Sequence, residues 1–192
     1  MAVVRRVAAV TVVALSMGVA GAYAVAAADP WSRLHRPLHL PTLASGASCP
    51  VSRASSFNFK RYGVATGVGP GPAYPIGFAQ PGSVLPVYEI SGSVWRGGKA
   101  LWFVAPSYRG RVLIRGRRLD APGIIRFDRG SALSNEIRIN IGQRGGNPPD
   151  QVWAGQRYRP SLTRVLNAGC YAYQIDGSSF SRVIVLVAEQ AP

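Results

Sequence analysis

Residues 136–141 read EIRINI and residues 183–187 read VIVLV. In the first, Ile137, Ile139 and Ile141 alternate with Arg138 and Asn140, the period of a strand with one buried and one wet face. The second is apolar at every position, which suits a central strand covered on both sides. Between Val84 and Val187 the same β-branched and aromatic character recurs in short runs: Val84 to Ile90, Ala100 to Ala105, Arg111 to Leu119, Gly123 to Phe127, Tyr158 to Val165 and Cys170 to Asp176. Turn residues separate these runs, and no long helical period intervenes. Seven or eight short strands of this kind predict an all-β fold, an antiparallel β-sandwich. Trp95 and Trp102 are its expected core aromatics.

Working outward, Arg53 to Pro81 is rich in Gly and Pro and predicts turns with at most short edge strands. Its GVGPGPAYP stretch is not a phosphate loop. It opens no helix, and its prolines remove the backbone N–H groups that such a cradle uses. Residues 29–48, DPWSRLHRPLHLPTLASGAS, show no sustained period and read as a linker. They carry both histidines, His35 and His39. The spacing resembles a zinc pair, but Pro37 breaks the helix that would align them, so they read as solvated.

At the N-terminus, Arg5 and Arg6 precede an uncharged apolar run from Val7 to Ala28 that ends in small-residue steps. Residues 1–28 therefore read as an export segment. Two forms are open: a cleaved signal peptide, which the Ala-rich steps favour, or an uncleaved membrane anchor of sufficient length. Either form places a single domain, residues 49–190, outside the cytoplasm, secreted or at the cell surface. In that compartment the even pair Cys49 and Cys170 reads as a structural disulfide, since neither cysteine has a His or an acid close in sequence.

The chain is 47% apolar with a mean hydropathy of +0.10, enough to form a real core. Its formal net charge is +14, and all but Lys60 and Lys99 of its 22 basic residues are Arg. Such a charge attracts polyanions, though an Ala-, Gly-, Val- and Pro-rich composition also fits GC-rich codon usage. Arg111, Arg115 and Arg117 share one face of the predicted 111–119 strand, and Arg126 and Arg138 are expected to join them from neighbouring strands. These five are the candidate anion-binding residues, because Arg grips phosphate or carboxylate bidentately. The competing reading is a solvated face that keeps the domain soluble. A candidate contact loop spans 143–159, with Trp153, Arg157, Tyr158 and Arg159 as aromatic and cationic tips. Alternatively Trp153 and Tyr158 fold back to cap the sandwich.

The residues CPVS (49–52), GPAYP (71–75), VLIRGRRLD (112–120), GCYAYQIDG (169–177) and FSRVIV (180–185) resemble a group of exported proteins of GC-rich Gram-positive bacteria to which no activity is assigned. The resemblance covers roughly Cys49 to Ala188. It implies an immunoglobulin-like sandwich with the two cysteines paired, and it implies no activity.

Catalytic chemistry has few groups to work with. The histidines lie in the linker, no G-x-S-x-G elbow is present, and a cysteine nucleophile is lost to the disulfide. Glu89, Asp120, Asp128, Glu136, Asp150 and Asp176 leave open a carboxylate pair of the glycosidase type. The expectation is a non-catalytic, envelope-associated interaction or structural domain that needs no cofactor and no metal. Its partner is an anionic envelope polymer or another protein. The alternative is an enzyme acting on cell-envelope glycans. Two isolated RGG triplets, at 96–98 and 144–146, do not make a nucleic-acid binder, and contact with a membrane is expected only through residues 7–28.

Overall fold

The computed structural model describes residues 29–79, 83–129, 132–141 and 157–192. The export segment and most of the candidate contact loop, Trp153 included, lie outside the described residues. Among the described residues no helix is long and apolar enough to cross a membrane.

The fold is all-β. Ten strands follow in chain order: β1 Ala73–Ile76, β2 Val84–Glu89, β3 Arg96–Val104, β4 Arg111–Arg118, β5 Arg126–Arg129, β6 Ala132–Ser134, β7 Ile137–Asn140, β8 Tyr158–Val165, β9 Gly169–Gly177 and β10 Phe180–Gln190. Two were not read from the sequence as strands in their own right. β1 lies in the Pro/Gly-rich stretch, and β6 has three residues.

The strands form one mixed sheet in the order β6-β5-β8-β3-β2-β10-β9-β4-β7, with β1 also paired to β3. The antiparallel expectation fails at one pair. Val84 to Val87 of β2 run parallel to Val187 to Gln190 of β10, before Tyr88 and Glu89 pass to β3 in antiparallel register. Parallel pairing needs a long connection, and nearly the whole domain lies between these two strands. By belonging to both neighbours, β2 joins the two halves of the sheet, which rolls nearly into a barrel.

One core fills the roll. From one half come Leu85, Val87, Ala100, Trp102, Phe127 and Val165, and from the other Val112, Ile114, Ile137, Ile139, Tyr171, Tyr173, Ile175, Ile184 and Leu186. Strand alternation accounts for this membership: odd and even positions of each strand divide between inside and outside. Trp102 meets Tyr173 edge-on at 5.3 Å between ring centroids, and the Tyr173 hydroxyl lies 2.8 Å from Thr163 Oγ1. Trp95, by contrast, is only half-buried, in the turn before β3.

The outer faces are covered as well. A second cluster of Phe59, Tyr74, Ile76, Phe103 and Ala105, with Phe57, Tyr62 and Tyr158 packed against it, lies outside β1, β3 and β8. It is held by the 3-10 turn Phe59–Tyr62, which Gly63 closes at a φ of 67°, donating its N–H to Lys60. Over the opposite half lie Trp31 and Leu34 against Leu113, then Leu40, Leu43 and Cys49 against Cys170, Ala172 and Val185. Residues 29–48 are therefore a docked arm where the sequence predicted a linker. Its apolar residues are too widely spaced for a regular period and are chosen by the sheet beneath. The arm explains why β9 is buried on both faces and why the 183–187 run of β10 is apolar throughout.

Candidate functional site

β4 carries Arg111, Leu113, Arg115 and Arg117 on its outer face, opposite the inward Val112 and Ile114. β7 pairs with β4 and places Arg138 beside Leu113; β9 places Gln174 beside Arg115 and Asp176 beside Leu113. Four of the five candidate arginines thus share one sheet face. Arg126 does not join them, because it lies on β5, which pairs with β8 in the other half of the sheet.

The arm lies across this face and engages most of it. The Trp31 ring sits 5.8 Å from the Arg111 guanidinium and 5.3 Å from that of Arg138. Arg138 donates to Glu136 at 2.6 Å and approaches Asp29 at 3.8 Å. Arg115 donates to the Arg36 carbonyl at 2.5 Å and to Asp176 at 2.9 Å. Asp176 is fully buried, and it also accepts from Ser181 Oγ at 2.7 Å and from Gln174 Nε2 at 3.0 Å. Gln174 in turn accepts the His39 backbone N–H at 2.7 Å and donates to the Pro37 carbonyl at 3.0 Å. Only Arg117 stays exposed with no partner among the described residues.

Two carboxyls are shifted by this surrounding. Burial alone would push the Glu136 carboxyl up, but hydrogen bonds from His35 at 2.7 Å and from Arg138 outweigh it and hold the group below the ordinary carboxylate range. His35, expected to be solvated, is exposed yet bonded. Asp120 is held low by the Arg118 hydrogen bond at 2.6 Å, against partial burial and with help from the Cys170 N–H at 3.1 Å. Asp128 meets Arg164 through both oxygens at 2.6 and 2.8 Å, and Glu89 lies 3.5 Å from Arg96. Of the six acids singled out from the sequence, five are thus matched with guanidiniums, and Asp150 lies outside the described residues. No group of three His, Cys, Asp or Glu side chains among the described residues is arranged to hold a metal ion.

The described part of the contact loop turns inward. Arg157 donates to the carbonyls of Val104 at 2.7 Å, Ala105 at 2.8 Å and Tyr108, and burial lowers its pKa, with Arg109 adding repulsion. Tyr158 donates its hydroxyl to the Tyr62 carbonyl at 2.9 Å and packs on Phe103. Arg159 is half-buried in register with Trp102. Arg157 and Tyr158 thus tie the start of β8 to Val104, Ala105, Tyr108 and Tyr62.

Cys49 and Cys170 are bonded, with a Cα separation of 5.5 Å. The bridge fastens the end of the arm to the outer face of β9. Beside the covered face, the arm and the turn joining β9 to β10 leave a cleft of about 650 Å³ lined by Arg33, Arg36 and Arg111, with Ser32, Ser178 and Asp29 at its walls. Arg33 and Arg36 were passed over because residues 29–48 read as a linker. No local pattern marks them, since the apolar residues of this stretch are isolated among prolines and show no period. Comparison of the chain with protein-family models, with characterised proteins and with solved structures finds no match.

Proposed function

We propose that the chain is a non-catalytic, extracytoplasmic immunoglobulin-like domain that binds an anionic polymer of the cell envelope. The observation that carries this reading is the disulfide between Cys49 and Cys170, which belongs to an oxidising compartment and fixes a cationic arm to the sheet. The export segment read from residues 1–28 supports the same location. Strand order supports the immunoglobulin-like part. The strand β2, shared between β3 and the last strand, with β10, β9 and β4 adjacent on one side and β3, β8 and β5 on the other, resembles the Greek-key order of such sandwiches. So does Tyr171, near the start of β9, whose hydroxyl donates to the Asn167 carbonyl at 2.7 Å in the manner of a tyrosine corner.

A glycan hydrolase needs two carboxyls facing one another across a substrate. The matched acids favour binding over that alternative, since each carboxylate is turned toward a guanidinium. The test is binding of the full chain to purified cell wall, anionic liposomes and DNA across a salt series. Saturable binding to the wall that survives moderate salt is expected. Weak, equally salt-labile binding to all three would mean that the charge is generic and would overturn the reading.

A further inference from the structure

We infer that the cleft between the arm and the β9–β10 turn is a phosphate-binding site. The inference rests on the anionic-polymer reading above and names the group that the polymer presents. Three arginines line the cleft from two elements: Arg33 and Arg36 from the arm, in and just after the 3-10 turn Ser32–Leu34, and Arg111 from the start of β4. Arg36 is positioned by the sheet, donating to the carbonyls of Phe180 at 2.7 Å and Gly177 at 3.0 Å. It lies 3.6 Å from Asp176, whose closer partner is Arg115 at 2.9 Å. Arg33 and Arg111 are exposed, and neither guanidinium donates to any described residue, so their N–H groups are left to solvent or a ligand. Arg111 is nonetheless steadied by the Trp31 ring beside it.

The one acid in the lining is already engaged: Asp29 accepts the Trp31 N–H at 3.0 Å and faces Arg138 at 3.8 Å. The cleft therefore keeps an excess of positive charge. Its donor arrangement separates the possible anions. A carboxylate offers two oxygens in one plane, and a single guanidinium fork satisfies it. Donors entering from the arm (Ser32, Arg33), from β4 (Arg111) and from the β9–β10 turn (Ser178) suit a tetrahedral group with acceptors in several directions. Outside a cell such a group is carried by phosphodiester wall polymers and by phospholipid head groups. The groove at Arg117 is a weaker site, since its second cation, Arg118, is held by Asp120.

The experiment is a calorimetric titration of the full 192-residue chain, kept in a non-ionic detergent, with inorganic phosphate, poly(glycerol phosphate) and phosphatidylglycerol vesicles. Saturable phosphate binding is expected, weakened at least about tenfold by Arg33→Ala and by Arg111→Ala and unchanged by Arg117→Ala. The polymer and vesicle arms then identify the source. Because Arg111 also packs on Trp31, Arg33→Ala is the decisive variant; its side chain makes no described contact, and its melting temperature should equal the parent's. Equal binding by the parent, Arg33→Ala and Arg117→Ala overturns the inference. If wall binding persists in Arg33→Ala, the envelope reading stands without this cleft; if phosphate binding depends on Arg33 but no polymer binds, the cleft stands without that reading.

Discussion

Reducing the Cys49–Cys170 bridge should destabilise the domain strongly. The two cysteines are 121 positions apart, so the bond closes most of the domain into one loop. The chain-entropy relation puts the stabilisation from a loop of that length at about 5 kcal/mol at 25 °C, acting through the unfolded state. For a domain of this size each kcal/mol shifts the melting temperature by about 2–4 °C, so reduction is expected to lower it by about 10–20 °C. The native state itself need not come apart on reduction. The arm keeps the His39–Gln174 bond, the Arg115–Arg36 bond and the Ser52–Val185 pairing on either side of Cys49. The assay is thermal unfolding followed by circular dichroism with and without a phosphine reductant, with thiol titration to show that both sulfurs are free. Two titratable thiols with a melting shift under about 3 °C would refute the loop-closure argument.

Asp176→Ala should cost about 3–5 kcal/mol in urea unfolding, because it strands Arg115 and Gln174 beneath the arm; a loss under about 1 kcal/mol would mean that water replaces the carboxylate there. Glu136 has a folded-state pKa below its unfolded value, so the stability it contributes is present above about pH 4 and is lost as pH falls through the lower, folded value. The stability gap between the parent and Glu136→Gln should accordingly shrink between pH 7 and pH 3, and a gap that stays constant would contradict the ion-pair assignment. Gly116→Ala would place a Cβ 2.3 Å from the Ala172 carbonyl oxygen across the β4–β9 pair, where backbone must move. It should lower stability by more than about 2 kcal/mol in urea unfolding, and a loss under about 0.5 kcal/mol would contradict the close β4–β9 approach.

The strands of the core were legible because each carries its own pattern. Ile137 and Ile139 point inward from β7, and β10 is covered on both faces, as alternation and its absence require. β8 runs from Tyr158 to Val165, as its β-branched and aromatic content predicts. The parallel β2–β10 pair was not legible, because strand direction is a property of the whole path and leaves no mark on VLPV or VAEQ. The arm escaped for a related reason. Trp31 and Leu34 are buried, and Leu40 and Leu43 half-buried, by a surface that only tertiary structure assembles, and isolated apolar residues among prolines have no period to detect. The candidate site was half-legible. Alternation placed Arg111, Arg115 and Arg117 on one face, whereas nothing local to those residues says that an arm lies upon it.

That covering changes what the net charge of +14 means. An arginine-rich strand suggests an open cationic surface only if its guanidiniums face solvent. Here Arg115 closes a buried carboxylate and a backbone carbonyl, Arg138 bridges Glu136 and an indole, Arg157 gathers three carbonyls, and Arg164 clasps Asp128. Arg serves these tasks better than Lys because its planar fork reaches several acceptors at once and its long apolar stem packs against rings. Much of the basic composition is therefore structural. The guanidiniums of Arg33 and Arg111 are left over beside the β9–β10 turn, where Arg36 ties the arm to the carbonyls of Gly177 and Phe180. The arm thus both covers the arginine face and lends Arg33 and Arg36 to the cleft beside it.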